Sequence, residues 1–406
     1  MGLNEKQIDG VLWMNLENMM MLLCGLGLFL FGMKLMGDGL EMAAGSKLKS
    51  MIERLTKNKY MGALVGLAVT AVIQSSSATT VMVVGFVNAG LMNLAQAVGV
   101  IMGANIGTTV TGFMIALKLN SLAPIAIFIG VILMCFCRKN RQKHLGQIIT
   151  GFGVLFFGMT VMSTAMEPLG DSEIFRNAIV QFGNPLIGVL VGLLFTALIQ
   201  SSSASVGVLQ ALASQGLVPI SSAVFVIYGQ NIGTCVTALL SCIGTTKIAK
   251  RTAVVHLLFN VLGAALFITI TILFPFTELI ERIAPGDAMM QISAVHIIFN
   301  LVCTAILLPM SNLLVKLACL VVPGEDRKRE AMSLQYLDSR ILNTPPIAVG
   351  QVLKEVKRMS DLAQISFANA MEMLFQKDSS KMEELENNEN VLDFLNTCLL
   401  YTSRCV

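Results

Sequence analysis

Gln74-Ser75-Ser76-Ser77-Ala78 recurs unchanged as Gln200-Ser201-Ser202-Ser203-Ala204, at an offset of 126 residues (200 − 74). The same offset carries Asn105-Ile106-Gly107-Thr108 onto Asn231-Ile232-Gly233-Thr234, and Gly25–Met33 onto Gly151–Met159. Three gapless matches at one spacing indicate an internal duplication. The closest matches are polar strings set in apolar sequence, the pattern of a two-repeat membrane protein with one shared central site.

The surrounding composition agrees. Of the 406 residues 55% are hydrophobic and only 13% charged, against about 25% charged in soluble domains. The fold class is therefore an all-α membrane protein. The apolar character ends near Val322, and a polar, charged tail with helical spacing follows. The net charge of +3 gives no reason to expect a nucleic-acid partner. The nine cysteines include no CxxC pair, so buried inert thiols are expected rather than a disulfide framework or zinc site. The first apolar stretch, 19–36, lacks the layout of a signal peptide and reads as a retained helix.

A spanning helix needs roughly 20 apolar residues. Residues 19–37, 92–117, 121–137, 146–166, 217–242, 252–275 and 290–322 qualify, the last being long enough to end as a helix outside the bilayer. Segments 61–90 and 187–215 carry the Gln-Ser-Ser-Ser strings near their middles. Each is too short for two crossings and too polar for one, so each reads as a re-entrant hairpin, tolerated at membrane depth only where it lines a cavity or is buried in protein. Lys47, Lys49, Arg54, Lys57 and Lys59 form one basic cluster. Arg138, Lys139, Arg141 and Lys143, then Lys247, Lys250 and Arg251, then Arg327, Lys328 and Arg329 form three more, all expected on the cytoplasmic side. Segments 167–184 and 276–288, with Glu167, Asp171, Glu173, Glu278, Glu281 and Asp287, are expected outside. Each repeat contains three crossings, an odd number, which inverts the second copy. The expected topology is an inverted repeat with the N-terminus out and the C-terminus in.

No charged residue lies between Met61 and Leu117 or between Pro185 and Thr246. The polar groups are hydroxyls and amides, including Thr70, Thr79, Thr80, Thr109 and Thr111 in copy one and Thr196, Ser205, Gln230 and Thr237 in copy two. Small polar residues in membrane helices often serve close packing. Four of them clustered twice, each cluster followed 31 residues later (105 − 74) by Asn-Ile-Gly-Thr, exceed what packing requires, and burying them unsatisfied is costly. Serine hydroxyls and freed amides at a half-helix N-terminus suit an anion. Hydroxyl, amide and carbonyl oxygens suit a hard cation such as Na⁺. Without a fixed counter-charge, co-bound cations would stabilise an anion and it would stabilise them, the thermodynamic basis of coupling. His256/Asn260 and His296/Asn300 each share a helix face. They read as interhelical hydrogen-bonding pairs, with a path-lining or proton-sensitive role as the alternative.

The chain resembles the sodium–phosphate cotransporter family, type II class, and bacterial members with a C-terminal PhoU-like domain. Gly32–Met36, both Gln-Ser-Ser-Ser and both Asn-Ile-Gly-Thr strings and the two His-x-x-Phe-Asn segments carry the resemblance, which covers about 1–322. It implies a site for phosphate and Na⁺ where the hairpins meet. Gln74, Ser75, Ser76, Ser77, Gln200, Ser201, Ser202 and Ser203 are its expected core, and Asn105, Thr108, Asn231 and Thr234 its neighbours. Sodium would bind the same hairpin residues. The organisation expected is repeat one at 1–144, repeat two at 145–251, further helices at 252–322, a linker at 323–344 and a partial PhoU-like pair of helices at 345–396. Residues 397–406 lose the helical pattern and fall outside that domain.

The expected function is sodium-coupled phosphate symport across the cytoplasmic membrane by alternating access. The partners are inorganic phosphate, sodium ions and the bilayer, and no cofactor is needed beyond the coupling ion. An enzyme is not expected, since the serines lack an acid–base partner within either repeat. The alternatives are phosphate efflux without obligate sodium coupling, or a sensor whose tail meets a signalling partner or a second copy.

Overall fold

The computed structural model describes residues 5–44, 58–168, 181–324, 333–337, 345–377 and 380–403. Lys47, Lys49, Arg54, Lys57, Asp171, Glu173, Arg327–Arg329 and most of the linker lie outside the described residues. Every regular element among the described residues is helical. The elements are α1 (Glu5–Ala44), α2 (Lys59–Ile73), α3 (Ser76–Asn88), α4 (Leu94–Ala116), α5 (Ala123–Phe136) and α6 (Asn140–Met166). Then follow α7 (Pro185–Ile199), α8 (Ser202–Ser214), α9 (Ile220–Gly233), α10 (Cys235–Ser241), α11 (Lys247–Leu273), α12 (Phe276–Ile283), α13 (Ala288–Leu307) and α14 (Ser311–Val321). The tail forms α15 (Pro345–Gln376) and α16 (Met382–Ser403).

Among the described residues, seven stretches are long and apolar enough to cross a bilayer: 16–44, 94–116, 119–136, 140–166, 220–241, 247–273 and 288–307. The chain is a multi-pass membrane protein. α2, with 15 residues, and α3, with 13, each reach only about 20 Å, short of a hydrocarbon core about 30 Å thick.

Three expectations need correction. The stretch 290–322 is two helices, broken at 308–310, because Pro309 has no amide to continue the ladder. α16 runs through Ser403, because Leu399 continues the buried row of Val391 and Leu395 at the spacing of one helix face. The thiols of Cys235, Cys242 and Cys303 are buried, but Cys24 and Cys135 are exposed on apolar spans.

Glycines set the helix contacts. A Cβ added at Gly25 would lie 2.6 Å from the backbone nitrogen of Met162, and Gly32 lies equally tight against Leu155. The offset of 126 repeats both contacts with roles exchanged, as Gly151 against Met36 and Gly158 against Phe29. The pairings run in opposite directions along the chain, so α1 and α6 are antiparallel. In contrast, α2 and α4 are parallel, with Gly99 against Lys59, Gly103 against Ala63 and Gly107 against Leu67. α7 and α9 repeat this with Gly229 against Val189 and Gly233 against Leu193. Because α2 and α4 start at the same end, α3 must double back between them.

Polar ties gather that end. The Lys59 ammonium donates to Pro309 O at 3.0 Å and Ser311 Oγ at 3.1 Å. Thr246 N donates to Asn88 Oδ1 at 3.0 Å, and Arg251 Nε to Val322 O at 3.0 Å. Ala44 packs in one cluster with Phe86 and Met92, and Gly39 lies against His144. The described basic residues at 59, 138–143 and 247–251 therefore share one end of the helical array.

At the opposite end Lys118 pairs with Asp287 at 2.8 Å, and the Asp287 carboxylate caps α13 by accepting from Met290 N at 3.1 Å. Partial burial pushes the Asp287 carboxyl up, but the Lys118 hydrogen bond and charge and the Met290 and Met289 amides outweigh it, and the net shift is downward. A lowered folded pKa means stabilisation that is full above the unfolded value of about 3.9 and is lost as pH falls through the folded value. Melting of the wild type between pH 6 and pH 3 is therefore expected to fall more steeply than that of Asp287→Asn, which keeps a cap but loses the ion pair. Both partners are partly exposed, so the difference stays under about 1 kcal/mol. Identical slopes would show that the pair contributes nothing.

In the tail, the buried Glu355 carboxylate accepts from Tyr336 N at 2.6 Å and pairs with Arg358 at 3.3 Å. This clamp holds residues 333–337 against α15.

Candidate binding site

α2 and α7 end in the same way. Gln74 (φ 60, ψ 24) and Gln200 (φ 59, ψ 23) close their helices in the left-handed region, which costs a non-glycine residue roughly 1–2 kcal/mol. Their amides donate to Thr70 O and Thr196 O, each at 2.7 Å. The next residues, Ser75 and Ser201, are extended and start α3 and α8. Their hydroxyls accept from Ala78 N at 3.1 Å and Ala204 N at 3.2 Å, so these two predicted site serines are N-caps. The chain folds back sharply, because Thr70 Oγ1 donates to Thr79 Oγ1 at 3.0 Å across the bend. Thr196 and Ser205 repeat that brace at 2.8 Å.

The two hairpin regions meet, and side chains from one copy bond to the other. Ser203 Oγ donates to Thr111 Oγ1 at 3.4 Å, and Thr111 donates to Gln74 Oε1 at 2.6 Å. In the counterpart contact Thr237 Oγ1 lies 3.2 Å from Ser77 Oγ, while Ser77 Oγ lies 3.5 Å from Gln200 O. Residues more than 90 positions apart thus form one polar cluster, with no charged side chain from the segments that build it. Ser76, Ser202 and Ser203 are buried within it. The copies are not equivalent: Gln74 and Thr111 are buried, whereas Gln200 is exposed and Thr237 half-buried, and Ser203 is buried where Ser77 is half-buried.

The first amides of α3 and α8 are the unsatisfied donors of a helix N-terminus, which favours negative charge. Two such N-termini and several neutral hydroxyls can bind an anion or, through their oxygens, a hard cation.

Each predicted neighbour is hydrogen-bonded to the helix that carries it. Asn105 and Asn231 donate to Ile101 O and Ile227 O in their own helices, both at 2.9 Å. Thr108 and Thr234 donate likewise to Ala104 O and Gln230 O at 3.0 Å. Asn231 is tied outward, accepting from Asn300 Nδ2 at 3.3 Å. Asn260 Nδ2 donates to Cys235 Sγ at 3.3 Å. The two asparagines therefore dock α13 and α11 on the α9–α10 segment. The His256 ring nitrogens and His296 Nδ1 are buried without a protein partner. Thr111 and Thr237, which join the copies, were absent from the predicted site. The signal that could have found them is that they match at the offset of 126 residues.

The Na⁺/Pi-cotransporter family profile matches the chain twice, over residues 28–164 and 156–297. The chain belongs to the Na⁺/Pi-cotransporter family. This family comprises transporters rather than enzymes, and its doubled match fits the doubled motif. The chain is 32% identical to the uncharacterized protein YqeW of Bacillus subtilis, over 73% of this chain and 96% of that protein. It is 26% identical to the Escherichia coli protein named "Putative inorganic phosphate export protein YjbB", over 94% and 70%. It is 29% identical to the human sodium-dependent phosphate transport protein 2B, over 35% and 22%. No solved structure matches the chain.

Proposed function

We propose that this chain moves inorganic phosphate across the cytoplasmic membrane in symport with Na⁺, by alternating access around the two hairpin tips. The observation that carries this reading is the bonding of each copy's last motif serine to a threonine of the other copy. A ligand held there touches both copies at once, so rocking one against the other would change which side it faces. The antiparallel run of α1 and α6 supports an inversion of the copies across the bilayer. Clustered basic residues support placing that end in the cytoplasm. Phosphate would take the α3 and α8 amides and the hydroxyls of Ser76, Ser77, Ser202 and Ser203. Na⁺ would supply the charge that the neutral cluster lacks, and each ligand would raise the affinity for the other by the same factor.

A second reading, phosphate efflux without obligate sodium coupling, is favoured by the export name of a relative that aligns with 94% of this chain. Proteoliposomes separate the two. Radiolabelled phosphate uptake is expected to need an inward Na⁺ gradient and to fail in Ser76→Ala and Ser202→Ala. Flux that ignores the gradient yet fails in both variants would replace symport with the efflux pathway. Flux unaffected by both substitutions would remove the site.

A further inference from the structure

We propose that the cleft between α4 and α5 is a binding site for an acyl chain of a membrane phospholipid, and that this chain stands against the side chain of Gln74. The two helices are consecutive in sequence, yet α5 packs along α6 instead. Gly130 lies against Gly146 and Thr150, and Gly153 against Ala123 and Ile127. The gap left beside α4 is a cavity of about 660 Å³, within the range of ligand pockets. Met36, Phe152 and Ile149 form its inner wall, Val110 and Ile129 flank it, and Gln74 is its one polar residue.

The surroundings name the occupant. α5 belongs to the span least covered by protein, and Phe128 and Phe136 on it are 68% and 80% exposed. A cleft beside such a helix opens toward hydrocarbon. Its lining carries no cation to hold a headgroup phosphate and only one residue to hydrogen-bond water, so an alkyl chain is the matching ligand. Gln74 tolerates that neighbour because its amide is already satisfied. Its Oε1 accepts from Thr111 and its Nε2 donates to Ala71 O. A chain lying there keeps water from the Thr111–Gln74 hydrogen bond, which is stronger when dry. This consequence for transport rests on Gln74 belonging to the phosphate site; the binding itself does not.

The test uses tryptophan fluorescence in phosphatidylcholine proteoliposomes made with plain or dibrominated acyl chains, in a Trp13→Phe background. Phe128→Trp reports the outer, lipid-facing surface and Phe156→Trp the protein core. Ile149→Trp, on the inner wall, is expected to be quenched at least half as strongly as Phe128→Trp. Adding Ala126→Phe, which fills the cleft, is expected to remove most of that quenching. Met114→Trp on the opposite wall gives the same readout should Ile149→Trp fail to fold. An inner-wall tryptophan as unquenched as Phe156→Trp, or quenching indifferent to Ala126→Phe, would overturn the site. No phosphate flux enters the measurement, so a negative result is distinct from a failure of the transport reading.

Discussion

Thr111→Val is expected to lower phosphate flux in proteoliposomes by about ten- to a hundredfold while leaving the protein folded. The shape is conserved and only a hydroxyl is lost. That hydroxyl is fully buried, donates to Gln74 Oε1 and accepts from Ser203, so removing it strands two polar groups at once. A buried group left unsatisfied costs roughly 1–3 kcal/mol, and 1.4 kcal/mol is a factor of ten. Thr237→Val, the counterpart at the offset, is expected to cost less. Thr237 is only partly buried, and its hydroxyl also has a local partner in Thr234 O at 3.0 Å, so water can replace what valine removes. Thr111→Ser restores the hydroxyl and is expected to restore most of the flux. Equal, small effects of both valines would show that the bonds between the copies are scaffolding. A Thr111→Ser variant as poor as Thr111→Val would assign the loss to the methyl group instead.

The difference between these two threonines also shows where the sequence stops being informative. Span number and approximate limits were legible because crossing a bilayer is a property of local length and composition. The bends at Gln74 and Gln200 were legible because α2, α3, α7 and α8 are each too short to cross and flank four polar residues. The break before α14 had a visible cause in Pro309, yet the apolar run continued past it and masked it. Thr111 and Thr237 were hidden for another reason. A threonine in an apolar helix equally suits packing; the offset of 126 residues marks these two as a pair, and the three-dimensional meeting of the copies shows that the pair faces the hairpins. Ser75 and Ser201 carry a role the motif alone did not show: the family resemblance implies them as site residues, and the backbone geometry adds that they cap α3 and α8. The unequal burial of Gln74 and Gln200 has no counterpart in sequence, because the two motifs are identical. The surroundings of the two differ: Gln74 lines a cleft walled by α4, α5 and α6, while Gln200 ends a helix whose outer residues Leu194 and Leu198 are themselves exposed.

Gly103→Ala and Gly229→Ala are expected to be the most damaging small substitutions in the chain. Each glycine lets a spanning stretch touch a half-helix backbone to backbone, at Ala63 O and Val189 O respectively. A methyl group there meets a carbonyl oxygen rather than a side chain, and no rotamer change relieves it. Overpacking of a well-packed interior costs about 1–3 kcal/mol and occasionally more; with fixed backbone on both sides, the upper part of that range applies. The strain would open the α2–α4 or α7–α9 contact and move the Gln-Ser-Ser-Ser bend that α2 or α7 carries, so flux and stability should fall together. Gly27→Ala is the control. It also lies inside a helix, but an added Cβ meets nothing within 4 Å. Alanine is the better helix former by roughly 1 kcal/mol, so this variant is expected to melt at or slightly above the wild-type temperature with normal flux. Size-exclusion profiles after graded heating of the three variants in detergent decide the matter. If Gly103→Ala and Gly229→Ala survive heating as well as Gly27→Ala, the hairpins are not held by backbone contact. If Gly27→Ala fails as well, α1 is sensitive to side-chain bulk where the structure leaves open space.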